Sequence, residues 1–461
     1  MVRLFKHYIP HAVLLLGAID GALLLAAADL AWRLRAWQIG IDPGALTARS
    51  GALAAITLVV MTAMTAVGVY GSEALRSLRF AGARLLVAVS LAVIALALVD
   101  FILPGATFWR SILLYAMILS IAFLTLDRVV VLGLLGEAAF RRRVIVLGAG
   151  RRGLRLRQLG EKRGSGFAIV GTIAMGEGKP AVRDAVERDT IEDLSAYVAN
   201  LGAAEVVLAL EERRNALPLK DLLRIKTAGV HVNEFASFME RETGRVDLDT
   251  LNPSWLIFSD GFSSARAFSS VAKRLFDVLA SGTLLLLSFP LIALFAALVK
   301  LDSRGPAFFR QVRVGLYGEP FTLLKLRSMR LDAEAGGAAW AQRDDPRVTR
   351  VGRIIRKLRI DELPQVWTVL TGQMSFVGPR PEVPRFVDQL EEQLPYYAER
   401  HIVKPGITGW AQINYPYGAS VEDARAKLEY DLYYAKNYTP FLDLLILLQT
   451  LRVILWPEGA R

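Results

Sequence analysis

Two adjacent carboxylates, Asp361 and Glu362, lie in the stretch Leu358-Arg-Ile-Asp-Glu-Leu-Pro-Gln365. Upstream, Val351, Ile354, Ile355 and Leu358 follow helical spacing and share one face, while Arg350, Arg353 and Lys357 share another. Arg356 and Arg359 crowd further positive charge towards the acids, and the turn Gly378-Pro-Arg-Pro381 follows them. Asp361 is positioned to be the N-cap of a helix that runs to Leu370, with Pro364 in its first turn and Gly372 ending it. A helix N-terminus and nearby arginines stabilise an anion, so this reading keeps Asp361 ionised at neutral pH. Carboxylates among cations suit chemistry on phosphates. Taken locally, the same residues fit a bare helix cap equally well.

An apolar segment, residues 280–299, lies upstream, and Pro290 interrupts it. Proline removes a helical hydrogen bond and clashes with the carbonyl of Leu286, and Ser288 is the side chain available to satisfy a freed backbone group. Lys273 and Arg274 precede the segment, and Lys300 and Arg304 follow it. These flanks fit a re-entrant helix–break–helix, residues 274–300, that enters and leaves one membrane face. With the acids, the segment implies transfer of a phosphorylated group to a lipid carrier.

The whole chain supports a membrane setting. Of its 461 residues, 53% are hydrophobic, and the mean hydropathy is +0.37. No cysteine is present, which excludes disulfides, thiolate zinc sites and cysteine nucleophiles. The four histidines (His7, His11, His231, His401) are scattered. The net charge of +11 fits cytoplasmic membrane flanks and phosphate-rich ligands. Nucleic acid is not indicated, because the basic residues flank apolar spans instead of forming one stripe.

Residues 12–30, 52–70, 85–103 and 108–126 each approach the ~20 residues that a bilayer requires. The first carries Asp20 and Asp29 and has no clear small-residue cleavage site, so it reads as a span and not a leader. Arg3, Lys6, Arg76, Arg79, Arg84, Arg128 and Arg141–Arg143 put both ends of the bundle in the cytoplasm, although Arg33, Arg35 and Arg49 oppose this. Asp20 reads as a protonated or hydrogen-bonded residue facing its neighbours, with no partner cation in the other spans.

From Arg141 the chain becomes soluble α/β. Val144-Ile-Val-Leu147 reads as a buried strand, and Gly148-Ala-Gly-Arg-Arg-Gly153 follows it into a helix. Gly148, Gly150 and Gly153 thus form a dinucleotide-type turn, and further strands are expected over residues 168–173 and 205–210. No acid ends the second strand where a ribose would be held; Glu177 comes late. The domain is therefore read as Rossmann-like with no obligatory ligand.

The C-terminal region is dense in motif. Lys273-Arg-Leu-Phe-Asp277, Asp361-Glu-Leu-Pro-Gln365, Phe376-Val-Gly-Pro-Arg-Pro381 and Lys404-Pro-Gly-Ile-Thr-Gly-Trp-Ala-Gln412 resemble the bacterial sugar transferase family, the monotopic phosphoglycosyl transferases. With four spans and a Rossmann-like insert, the chain resembles the long-form members. The resemblance implies that Asp361 attacks the β-phosphate of a UDP-sugar, releasing UMP. Polyprenyl (undecaprenyl) phosphate then takes the sugar phosphate from the enzyme, as in initiation of exopolysaccharide or O-antigen synthesis. It also implies that Glu362 assists through Mg²⁺ or proton transfer, that Asp361 and Glu362 hold the metal, and that Arg356 and Arg380 bind phosphate. Lys325 and Arg310 are further candidates for phosphate binding.

There are departures from the family pattern. Phe289 intervenes in the usual Ser-Pro pair, and Arg359-Ile360 replaces Ser-Leu. Tyr415-Pro-Tyr-Gly418 replaces a frequent Gly-Arg, resembling a subgroup linked to exosortase-type loci.

The expected architecture is a multi-domain membrane protein. It comprises a transmembrane four-helix bundle (residues 1–136), an α/β Rossmann-like domain (137–265) and a mainly α catalytic domain (266–461) with a re-entrant helix. Its place would be the bacterial inner membrane, multi-pass, with catalysis on the cytoplasmic face; a homo-oligomer is compatible with this. Residues 441–456 read as an interfacial helix anchored by Trp456. The competing functions are an NAD-dependent nucleotide-sugar modifying enzyme and a non-catalytic membrane scaffold. The first lacks the expected Tyr-x-x-x-Lys pair, since Leu201 follows Tyr197 at that spacing.

Overall fold

The computed structural model describes residues 2–4, 7–9, 11–70, 78–102, 110–135, 141–162, 165–176, 180–211, 217–251, 267–330, 347–416, 418 and 420–455. The expectations placed on Lys6, Arg76, Glu177 and Trp456 lie outside these residues. The chain forms two compact units, Met1–Gly244 and Arg245–Arg461.

The first unit opens with a short antiparallel hairpin, Val2–Leu4 with His7–Ile9, and continues into four long helices, His11–Ile39, Leu46–Val67, Leu78–Ile102 and Arg110–Leu135. Each contains a stretch long and apolar enough to cross a membrane. The first packs on the second and fourth and the third on the same two, which closes a bundle around Leu24, Met64, Leu85 and Leu124.

Two acidic positions in the first helix are neutralised within this bundle. Asp20 is fully buried and pairs with Arg128 at 2.7 Å, while Tyr70 donates a hydrogen bond to it at 2.9 Å. The expected lack of a partner cation is thus corrected: Arg128, read as a flank of the fourth span, lies inside the fourth helix. Arg49, which counted against the proposed orientation, is also buried, and it pairs with Asp29 at 2.9 Å.

A five-stranded parallel sheet follows, in the order Val186–Glu187, Phe167–Ala174, Arg142–Leu147, Glu205–Leu208, His231–Glu234. Val144, Ile145, Val146 and Leu147 are all fully buried, as an apolar run covered on both faces requires. The order reverses beside the strand Arg142–Leu147, which makes its carboxyl end the switch point where open α/β sheets bind ligands. The helix Arg151–Glu161 leaves from there. A Cβ on Gly153 would lie 2.2 Å from the carbonyl oxygen of Gly148, so this glycine permits the close strand–helix approach.

In the second unit, Ala267–Asp302 is a single helix of 36 residues with Pro290 inside it. The proline does not end one helix and start another. Ser288, expected to satisfy a freed backbone group, has a buried hydroxyl with no hydrogen-bond partner among the described residues. Leu286, Leu287 and Phe289 are exposed, whereas Ile292 and Val299 pack against Leu326, Ile355 and Ile360. Arg327 closes the C-terminal end by donating to the carbonyls of Ser303 and Arg304 at 2.8 and 2.6 Å.

The rest of the unit surrounds an antiparallel hairpin, Phe308–Val314 with Pro320–Leu326, and a short parallel pair, Ser375–Val377 with Gly406–Thr408. At the end of that pair, a Cβ on Gly378 would meet the carbonyl oxygen of Lys404 at 2.1 Å, so only glycine fits. Val246 and Leu248 pack here with Val387, Leu428 and Leu432. The helix Pro440–Leu455 buries Leu442 and Ile446 against Val377 and Tyr434, so one stripe of this segment serves a core.

Candidate active site

The helix Arg350–Lys357 starts at Thr349, whose hydroxyl accepts from the N–H of Gly352. Asp302, at the end of the long helix, accepts from Val351 at 3.0 Å. About two turns of helix then bring the chain to Arg359, which adopts a left-handed conformation (φ 58°, ψ 19°) unusual for a side chain of this size. That residue redirects the backbone into a short 3₁₀ turn, Ile360–Glu362, before the helix Gln365–Leu370 begins. Ile360 fixes the turn by packing against Ile292 and Val299.

This geometry overturns the capping role. Asp361 lies within the 3₁₀ turn, the following helix has Pro364 at its cap, and no side chain caps it. Among the described residues Asp361 makes no hydrogen bond or ion pair, and its Oδ1 is buried without a partner. Burial pushes its carboxyl above the usual aspartate range, and Glu362 adds to this, against the opposing pull of Lys325, Arg356 and Arg359. The electrostatic direction is thus opposite to that expected of a capped anion.

Glu362 is the anchored member of the pair. Its carboxylate meets Lys325 at 3.3 Å, Arg380 at 3.4 Å and Arg359 at 3.8 Å. Burial disfavours its charge, yet Arg380, Lys325 and Arg359 outweigh that penalty and hold it at about 2. Lys325 is pulled below the usual lysine range, first by burial and then by Arg380 and Arg313, with Glu362 opposing.

Hairpin register sorts the remaining candidates. Lys325 pairs with Phe309 and Arg310 with Leu324, and directly opposed residues share a face. Arg310 therefore points away from the Lys325 side and is exposed. Arg313, opposite Phe321, shares the Lys325 face, and alternation along residues 309–313 was the signal that could have found it. Arg356 is half-buried, and its charge acts on Asp361.

The dyad supplies hard oxygen donors for a cation. Mg²⁺ is characteristically held by one or two carboxylates together with substrate phosphates, and the unpartnered Asp361 Oδ1 beside Glu362 fits that mode. Among the described residues no cluster of three or more His, Asp or Glu side chains forms a dedicated cage.

The glycine turn of the α/β domain is arranged differently. The N–H of Arg151, which opens the helix, donates to Glu211 at 2.8 Å, so the chain's own carboxylate occupies the position favoured by an anionic ligand. Arg152 donates to the carbonyl of Leu210 and lies over the ring of Phe235. The carbonyl of Ala149 accepts from both Ala181 and Val182, and Val182 packs on Ala149 and Ala174.

An acidic dyad cradled by cations, on a turn that packs against a long apolar helix, is an arrangement suited to phosphate chemistry at a membrane. Residues 268–457 match the bacterial sugar transferase family, and residues 65–226 match a CoA-binding domain family. The chain belongs to the bacterial sugar transferase family. It is 46% identical over 240 residues to the UDP-N-acetylgalactosamine-undecaprenyl-phosphate N-acetylgalactosaminephosphotransferase of Aeromonas hydrophila, covering 52% of this chain and 56% of that protein. It is 44% identical over 197 residues to the UDP-glucose:undecaprenyl-phosphate glucose-1-phosphate transferase of Caulobacter vibrioides, covering 42% and 74%. An uncharacterized sugar transferase of Bacillus subtilis is 46% identical over 195 residues, covering 41% and 91%. This chain thus spans little more than half the length of the Aeromonas protein. The second family's name implies coenzyme A, but the arrangement around Gly148 does not fit it, since Glu211 and Val182 already engage the turn.

Proposed function

We propose that this protein transfers a sugar 1-phosphate from a UDP-sugar to polyprenyl phosphate, giving polyprenyl diphosphate-sugar and UMP and so initiating a surface polysaccharide. The observation that carries the reading is the half-buried Asp361 carboxylate, its Oδ1 without a partner among the described residues, beside Glu362 in a cradle of Lys325, Arg356, Arg359 and Arg380. A capping residue has its hydrogen bonds made. A nucleophile must have an oxygen free, and Asp361 does.

In the first step an Asp361 oxygen attacks the β-phosphorus of the UDP-sugar. The bond from that phosphorus to the bridging oxygen breaks, and UMP departs with the electron pair. In the second step an oxygen of polyprenyl phosphate attacks the same phosphorus, and the carboxylate leaves as free Asp361. Arg380 and Lys325, which face Glu362, hold the diphosphate and offset the repulsion between two anions. Arg356 does the same from the helix side. Mg²⁺, held by Asp361 and Glu362 with the substrate's phosphates, would supply further neutralisation of the diphosphate charge.

The site works at the cytoplasmic face of the bacterial inner membrane, with Lys273, Arg274, Lys300 and Arg304 at that face and the single helix between them bent at Pro290 instead of crossing. The α/β domain, residues 137–265, takes no part in the chemistry.

The experiment is UMP release from a panel of UDP-sugars by the full-length protein in lipid, with and without polyprenyl phosphate. The names of the relatives differ between glucose and N-acetylgalactosamine, so both belong in the panel. Lipid-dependent turnover with one or more donors is expected. No turnover with any donor, by folded protein, would reject the reading and favour a scaffold.

A further inference from the structure

The turn that carries Arg380 is held by its backbone. Four consecutive carbonyls each accept a hydrogen bond, from three separate parts of the second unit. Pro379 accepts from the N–H of Gly406 at 2.9 Å and Arg380 from Arg400 Nη2 at 3.0 Å. Pro381 accepts from Arg313 Nη1 at 3.0 Å and Glu382 from the N–H of Val314 at 3.0 Å. Two of these four residues are prolines, which offer no N–H, so carbonyl anchoring is the main way to fix such a segment. The Arg380 guanidinium has one hydrogen-bond and ion-pair partner among the described residues, Glu362, and its side chain is 42% exposed. Its direction is therefore set by the backbone beneath it.

Arg400 lies in the 3₁₀ segment Ala398–Ile402 and is almost completely buried. Its guanidinium also donates to Asp431 at 2.7 Å and to the hydroxyl of Tyr397 at 2.6 Å. Asp431 projects from the helix Val421–Asn437 and is 2% exposed. A buried ion pair is a poor device for stability alone, because apolar side chains of similar volume serve as well or better. Apolar side chains cannot donate to the carbonyl of Arg380. Arginine can, because its planar fork reaches several acceptors at once in fixed directions.

We propose that Arg400, clamped by Asp431 and Tyr397, is a positioning residue for the transferase site. It locks the Pro379–Glu382 turn so that the guanidinium of Arg380 stays beside Glu362, where the diphosphate is engaged. The proposal rests on the reading of Arg380 as a phosphate-binding residue. Arg400, Asp431 and Tyr397 are buried and act through Arg380.

A double-mutant cycle tests it. Arg400→Lys keeps the charge but loses the fork. The kcat/KM for UDP-sugar is measured for the full-length protein in lipid with Arg380 intact and with Arg380→Ala, alongside the unfolding midpoint of each variant. A displacement of ~1 Å at a site can cost about 100-fold, so Arg400→Lys is expected to lower kcat/KM about 10- to 100-fold when Arg380 is present. In the Arg380→Ala background the same change should lower it less than about 2-fold, with an equal drop in midpoint in both. Equal factors in both backgrounds would overturn the positioning role while leaving the reading of Arg380 intact. An Arg380→Ala variant as active as wild type would overturn that reading and the positioning role with it. If Arg400→Lys does not fold, Tyr397→Phe, which removes one bond to Arg400, replaces it in the cycle with the same pattern required.

Discussion

Replacing Glu362 with Gln removes the carboxylate that Lys325, Arg380 and Arg359 approach at 3.3, 3.4 and 3.8 Å. The carboxyl lies at about 2 in the folded protein against an ordinary 4.5. That difference of about 2.5 corresponds to ~3 kcal/mol at ~1.4 kcal/mol per pH unit. This is a ceiling. Arg380 and Arg359 are 42% and 73% exposed, and solvent screens their share. Asp361 works the other way, because loss of the Glu362 charge relieves one of the causes that raise it. A net loss of about 1–2 kcal/mol is expected for Glu362→Gln at pH 7. The sign follows from a lowered carboxyl: the stabilisation is fully present above 4.5 and disappears as pH falls from there towards 2. Hydrogen exchange of peptides covering residues 350–380 at pH 7 reads the local loss. Unfolding midpoints from pH 7 to pH 3 read the linkage, with the wild type falling more steeply than the variant. Equal protection at pH 7 together with parallel acid profiles would refute the account of the cradle.

Four-helix bundle stability should depend on the Asp20–Arg128 pair. Arg128→Met leaves a buried carboxylate uncompensated and should cost about 3–5 kcal/mol, with Asp20→Asn in the same chain recovering most of it in thermal unfolding. Gly153→Ala drives a Cβ to 2.2 Å from the Gly148 carbonyl and should destabilise the α/β domain by about 1–3 kcal/mol, seen as faster limited proteolysis, without lowering transferase turnover. In this cysteine-free chain, single cysteines at Ser270 and Arg304 should be labelled from the same side of the membrane; labelling from opposite sides would show that the long helix crosses it.

Sequence carried the parts of this molecule that depend on neighbours in the chain. The apolar run ending in Gly148 had one reasonable fold, and the acids at 361 and 362 were conspicuous among arginines. What it could not carry depended on distant partners and on backbone torsions. Arg128 reads as a span flank until Asp20, 108 positions away, is seen to bind it. The N-cap reading of Asp361 failed on the left-handed torsion of Arg359, which no residue type announces when the position is not glycine. Arg310 and Lys325 looked alike as isolated cations, and the hairpin register alone sends them to opposite faces. Arg400 carried little local signal, since only Tyr397 is a neighbour and its other two acceptors lie 20 and 31 positions away.

The central claim is that Asp361 is a nucleophile. Wild-type protein incubated with a turned-over UDP-sugar, labelled in the sugar, and Mg²⁺ but no lipid acceptor should carry the label on the peptide containing Asp361. Adding polyprenyl phosphate should remove it. Asp361→Asn should form no adduct and lose turnover by several orders of magnitude. It should also unfold no earlier than wild type, since the carboxyl makes no hydrogen bond and burial disfavours its charge. Wild-type-like turnover by Asp361→Asn, with deamidation excluded, or an adduct mapped to another residue, would contradict the mechanism.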